Sequence, residues 1–427
     1  MSKDNKDQIA VNALNKTLDA FAPNFIYPQP IGRTRFLNLD TNEPLSLESD
    51  NVAVFDKAVN ELIKLAFNDK IGISSSVLTD RLSKLISQKR KSNSRFIVQD
   101  WHSLVSDLRR IEISKFRVLR PIHGAHFDFQ GEPLKFGLFT IYSTDHHMAQ
   151  IRSGLTEEQK LSPFGELNGL LIECTVEARD SDTALNLADS LFHQCELIIR
   201  FLIGHRTADY EIGILNYVGP RSQQRIIISN GRSMGGLGLE GAVFKVPLSN
   251  QIFCNPGPEI VRLLNLIGAR QVTHMETRIL RCTEWIGQAL SEQNPASAFI
   301  KAATALEVLF NQSERGVITA SIMALISESC ATLLGQSPEG GVMIEKRVKA
   351  LYDVRSKVVH TGSNSVDQSD LNTLVQICRA AVFELLTRED LRFISDISQL
   401  GDYFKKKKYE FLGQITQISP HNREEME

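Results

Sequence analysis

A chain of 427 residues has room for two or three domains, and 42% hydrophobic with 23% charged residues describes a folded globular protein, not a disordered or fibrous one. The formal net charge of -2 excludes a global basic field, so contact with nucleic acid would need a local patch. No run of about 18 apolar residues occurs, which excludes a membrane-spanning helix.

The N-terminus, Met1 to Gln8, is polar and lacks the apolar stretch of a signal peptide, so a cytoplasmic location is expected. Six scattered cysteines (Cys174, Cys195, Cys254, Cys282, Cys330, Cys378) form no C-x-x-C pair and read as reduced core residues. A helix is expected over 5–22, followed by an irregular Pro-rich passage at 26–32. Helices at 51–68 and 77–90 come next, and Lys89 to Arg95 reads as a basic loop. From about 114 the apolar period changes from helical to alternating. Strands are expected at 116–120, 134–142, 170–176, 210–218, 224–229 and 242–247. Among them lies one long helix, capped by Ser181 and running to about Ile203.

Pro256-Gly257-Pro258 marks a boundary, after which nearly everything reads as helix: 258–292, 295–312, 316–334, 342–361, 369–388 and 389–411. Asn294 and Pro295 form a cap and first-turn pair, and Thr361-Gly362 stops the fourth of these helices. The expected fold class is α+β: a helical and irregular part at 1–110, an α+β part at 111–255, a helical domain at 256–412 and a disordered tail at 413–427.

Leu351 to Gly362 concentrates the chemistry. Arg355 offers a planar fork of donors that matches phosphate, His360 titrates near neutral pH, and Ser356 stands beside the arginine. Together they suffice for metal-free RNA cleavage, in which the substrate's 2′-OH attacks its own phosphate. His360 would move the proton, Arg355 would stabilise charge on the phosphate, and Ser356 would orient one of them. The spacing alone proves nothing. The pattern of an arginine, four to six residues and a histidine is also met by Arg95/His102, Arg117/His123, Arg120/His126 and Arg200/His205, and composition predicts about two matches by chance. The bland alternative pairs Arg355 with a surface carboxylate such as Asp353 or Glu345 and leaves His360 at a helix C-terminus. Five residues along a helix turn through about 140°, so Arg355 and His360 share a face only if the last turn unwinds; otherwise two copies must meet across a two-fold axis.

The stretch from about 270 to 390 resembles the ApeA-like HEPN family. The resemblance rests on Ala305-Leu-Glu-Val-Leu-Phe-Asn311, on Lys349 to Gly362 and on the closing helix Leu371 to Leu386. It implies a helical bundle and a metal-independent, dimeric endoribonuclease of the kind used in phage defence, abortive infection or toxin systems. Arg355, His360 and Ser356 then take the catalytic positions, with Glu307 and Asp353 supporting. Lys346, Arg347, Lys349 and Lys357 flank the motif and suggest a path for RNA. The implied partners are RNA, tRNA included, a second copy of the chain, and a phage or host factor acting on an N-terminal sensor region. No cofactor and no metal is implied. Some HEPN domains are inactive scaffolds, which is the competing expectation.

Three weaker candidates complete the reading. Gly236-x-Gly238-x-x-Gly241 lacks the helix that a phosphate loop needs and reads as a loop. His123, His126, Asp145, His146 and His147 match no metal motif by spacing. Lys405 to Lys408 reads as a solvated helix face.

Overall fold

A computed structural model describes residues 3–21, 35–37, 45–47, 49–67, 72–127, 131–154, 169–205, 211–217, 219, 221–229, 232–240, 244–311, 320–362 and 365–418. The Pro-rich passage and residues 419–427 of the expected tail lie outside these. The fold is α+β, with a small sheet in the N-terminal half and helices in the C-terminal region. By internal contacts the chain divides into two compact units, residues 1–118 with 174–189, and residues 119–173 with 190–427. The expected boundary at Pro256 falls inside the second unit.

Four helices build most of the first unit: α1 (Lys3–Asp19), α2 (Ser49–Ala66), α3 (Ser75–Lys91) and α4 (Val98–Arg109); two short strands, β1 (Arg35–Leu37) and β2 (Leu45–Leu47), pair antiparallel. Their core is apolar and closed, with Leu14, Phe55, Leu62 and Leu82 fully buried and Trp101 nearly so. Helix α4 was not expected from sequence. Its first residue follows Ile97, which offers no side-chain oxygen, and Asp100 instead reaches back to accept from the Ile97 amide at 2.8 Å. The long helix α6 (Ser181–Ile203) begins as expected, but its cap is Asp180, not Ser181. The Asp180 carboxylate accepts from the Thr183 amide at 2.9 Å and from the Ser74 amide at 3.0 Å. Burial pushes this carboxyl up, yet the hydrogen bonds from Thr183 and Ser74 outweigh it and hold the group below its usual range.

The central sheet takes the order β3-β7-β6-β5, with β3 Ser114–Ile122, β5 Leu134–Phe136, β6 Phe139–Ser143 and β7 Leu170–Ala178. β4 (Ala125–His126) stands outside it. The single strand expected over 134–142 is two strands, because Gly137 takes a left-handed φ of 61° and folds the run into a hairpin. A short helix, α5 (Thr144–Ile151), follows β6. Beyond α6, β8 (Arg221–Ser229) pairs antiparallel with β9 (Arg232–Glu240), and β10 (Val246–Pro247) pairs with β4. Gly236 and Gly238 thus lie in a strand ladder and not in the expected loop. Among the described residues 211–217 no strand forms; Gly213 makes a single isolated bridge with His123. The amides of Ile214, Leu215 and Asn216 all donate to Glu196 of α6, at 2.7, 2.8 and 3.2 Å, so a carboxylate takes the place of a neighbouring strand.

The remaining helices of eight or more residues are α7 (Pro258–Leu266), α8 (His274–Ser291), α9 (Pro295–Phe310), α10 (Ala320–Leu334), α11 (Pro338–Thr361), α12 (Gln368–Thr387) and α13 (Ile397–Ile418). Helix α12 is central: it touches α7, α8, α9, α10 and α11, and buries Leu371, Leu374, Val375, Cys378, Val382 and Leu385. The helix expected over 258–292 is broken at 267–273, where Thr273 and Glu276 form a capping box that starts α8. Helix α13 runs from Ile397 to Ile418, past the end expected at 411. All six cysteines are free thiols; five are buried and Cys254 is exposed. Among the described residues, no helix is long and apolar enough to cross a membrane.

Arginines close four of the helices. Arg379 donates to the Leu202 carbonyl at the end of α6, Arg278 to Val308 and Asn311 at the end of α9, Arg262 to Leu386 in α12, and Arg388 to Leu333 in α10. Each guanidinium meets the carbonyls that a helix C-terminus leaves unpaired and the negative end of its dipole. Arg278→Ala is expected to cost about 1–2 kcal/mol and to speed amide exchange in the last turn of α9. Exchange there that matches the wild type would count against the cap.

Candidate active site

Helix α11 carries the motif, and its ends explain its length. Ser337 accepts from the Gly340 amide at 3.1 Å, Pro338 occupies the first turn, and Gly362 leaves the helix with a left-handed φ of 66°. The helix is continuous to Thr361, so its last turn does not unwind. Arg355 and His360 are therefore turned about 140° apart.

The buried stripe of α11 consists of Val348, Leu351 and Tyr352, and Arg355 continues it. Arg355 Nε lies 3.4 Å from Oε1 of Glu307 on α9, with only 18% and 14% of the two side chains exposed. The arginine's carboxylate is thus Glu307, and not Asp353 or Glu345. Asp353 is exposed, and Glu345 accepts from Lys349. Burial pushes the Glu307 carboxyl above its usual range, and the nearby Arg355 offsets this only in part. Tyr352 is 4% exposed. Burial, and after it the Glu307 charge, drives the Tyr352 phenol well above its ordinary value. Glu307 Oε1, Arg355 Nε and the Tyr352 hydroxyl all lack a hydrogen-bond partner among the described residues.

The opposite face of α11 is wet. Lys346, Asp353, Ser356, Lys357 and His360 are exposed along it. Ser356 and His360 share that face, as their spacing of four requires. Of the four residues expected to guide RNA, Arg347 donates to Asp370 at 2.8 Å and Lys349 to Glu345 at 2.5 Å, while Lys346 and Lys357 are exposed. The structure brings Arg355 together with Glu307 and Tyr352, and separates them from Ser356 and His360. Tyr352 was not singled out from sequence. The signal for it is its place one turn before Arg355 on the apolar stripe.

Two of the other pattern matches have structural roles. In Arg200/His205, Arg200 binds Glu196 at 3.0 Å and donates to the Ile212 carbonyl, and its side chain is 9% exposed. Arg95 pairs with Asp19 and His102 with Asp7. The expected basic loop is largely the end of α3, where Lys89 pairs with Asp100 at 2.7 Å. In the run Lys405 to Lys408, Lys407 lies over the Tyr403 ring and Lys408 pairs with Glu328. His147 is buried, accepting from the Ser143 amide at Nδ1 and meeting the Gly131 carbonyl at Nε2, and His123 stacks on Tyr217. Among the described residues, no group of three or more His, Cys, Asp or Glu side chains is arranged to hold a metal ion. In comparison with known proteins, the chain matches no family model, no curated protein and no solved structure.

Proposed function

We propose that the protein is a metal-independent endoribonuclease of the HEPN type, located in the cytoplasm and serving phage defence or a toxin system, with its N-terminal region as sensor. The observation that carries this reading is the Arg355–Glu307 pair. A guanidinium whose Nε side faces a buried carboxylate is a cation held in place, and its two terminal nitrogens, not the buried Nε, are the donors for a phosphate. The RNA 2′-OH attacks the adjacent phosphorus, the bond to the 5′ oxygen breaks, and a 2′,3′-cyclic phosphate forms. Arg355 stabilises the charge on the non-bridging oxygens, and His360 moves the proton. Because one regular helix turns these residues apart, the working site combines Arg355 of one copy with His360 of a second across a two-fold axis. Exposed Lys346 and Lys357 on the His360 face suit an RNA backbone.

The divergence of Arg355 and His360 favours a second reading, a non-catalytic dimerisation or binding scaffold. Incubating the full chain with cellular RNA and tRNA in EDTA separates the two. Cleavage leaving 2′,3′-cyclic phosphate ends is expected, and its loss in Arg355→Ala and in His360→Ala. An equimolar mixture of the two variants should regain part of the activity through mixed dimers. RNA left intact by a dimeric wild-type protein would decide for the scaffold.

A further inference from the structure

We infer that Tyr352 is a positioning residue of this site, acting through Glu307 on the guanidinium of Arg355. The inference rests on the ribonuclease reading above and adds a residue to it.

Three of the buried polar atoms without a hydrogen-bond partner converge on one place: Glu307 Oε1, Arg355 Nε and the Tyr352 hydroxyl. Each such atom costs stability, and cores rarely keep one without a reason. Here three fall on facing positions of α9 and α11. Tyr352 and Arg355 are three residues apart on one helix face, and Glu307 meets Arg355 from the other helix at 3.4 Å. Tyr352 is buried to 4% exposure, so its hydroxyl cannot turn to solvent. Packing alone does not account for it, since phenylalanine would fill the same space without the orphaned oxygen.

The arrangement fits a site whose bonds are completed on loading. A phosphodiester on the outer edge of Arg355 draws the guanidinium outward and loosens its hold on Glu307. The carboxylate then needs a second donor, and the phenol is the uncharged donor within its field. Tyr352 donating to Glu307 would fix the carboxylate, and with it the rotamer of Arg355 under the phosphate. Cys282, Cys330 and Cys378 are buried in the same core and are weaker donors than a phenol.

Tyr352→Phe in the full chain tests this. A purely structural tyrosine predicts unchanged cleavage, because the lost hydroxyl has no partner to miss. A positioning role predicts a kcat lower by roughly ten- to a hundredfold with KM little changed, at a thermal midpoint no lower than that of the wild type. It also predicts that, in chains labelled with 15N arginine, the Nε–Hε resonance that disappears in Arg355→Lys shifts in Tyr352→Phe. Wild-type cleavage, or an unmoved resonance, overturns the inference. If the wild type itself cuts no RNA, the ribonuclease reading fails. The resonance then decides about Tyr352 alone, a shift sustaining its coupling to Arg355 and no shift refuting it.

Discussion

Glu196→Ala is expected to lower stability by about 3–5 kcal/mol. Glu196 is 1% exposed and accepts from three successive amides and from Arg200. Desolvation pushes its carboxyl up, but Arg200 and the Ile214, Leu215 and Asn216 amides together hold it below the usual carboxylate range. Alanine would strand a guanidinium that is 9% exposed and leave three amides to find water. The same shift fixes the sign of the pH dependence. A depressed carboxyl contributes stability that is present above its unfolded value and lost as pH falls through the folded one, so the contribution fades below about pH 4.5. An unfolding free energy from denaturant titration within about 1 kcal/mol of the wild type, or unchanged exchange at the Ile214–Asn216 amides, would show that the loop has other anchors.

The second large effect lies at the candidate site and is asymmetric. Glu307→Leu leaves Arg355 beneath the surface with no carboxylate, and an arginine cannot discharge itself; a cost of about 3 kcal/mol is expected. Arg355→Met leaves Glu307, which can take up a proton because burial already raises its pKa. Its cost should be smaller, about 1–2 kcal/mol at neutral pH. The deficit should shrink as pH falls, since a raised carboxyl binds more protons folded than unfolded and gains stability on acidification. The double variant should stand closer to the wild type than Glu307→Leu does. His360→Ala, at an exposed position, should change stability by less than about 0.5 kcal/mol. Simple additivity in this cycle would mean that the pair is geometric only. Loss of cleavage in His360→Ala at full stability separates chemistry from folding.

Sequence periodicity located α6, α9, α11 and α12 well, because each has a broad apolar face and a recognisable cap. It failed where the local chemistry was ambiguous. Gly340-Gly341 looks like a helix breaker, yet both glycines sit in the first turn of α11, where Ser337 and Pro338 already hold the backbone. The apolar pattern of 258–292 hides the Thr273–Glu276 capping box that divides it. Residues 210–218 alternate like a strand, but the amides of Ile214, Leu215 and Asn216 answer to Glu196, and no spacing rule reveals a tertiary acceptor. The motif shows the same limit. Arg355/His360 and Arg200/His205 have identical spacing, yet Arg200 carries its own carboxylate one turn earlier, at Glu196. That companion was visible in the chain and marks Arg200 as structural. Arg355 has no acidic residue four before it, and its partner comes from 48 positions away, on another helix.

The arginine clamps bear on how the chain can be divided. Arg379 reaches the Leu202 carbonyl across 177 residues of sequence, and Gln376 reaches the Gly204 carbonyl across 172. The face of Arg379 also lies over the rings of Phe201 and Phe383, so this clamp is apolar as well as polar. A fragment excised at Pro256 would keep Arg379 and Gln376 on α12 but lose the Leu202 and Gly204 carbonyls at and just past the end of α6. The helical region after Pro256 is therefore not autonomous at its central helix: part of what secures α12 is encoded before residue 205.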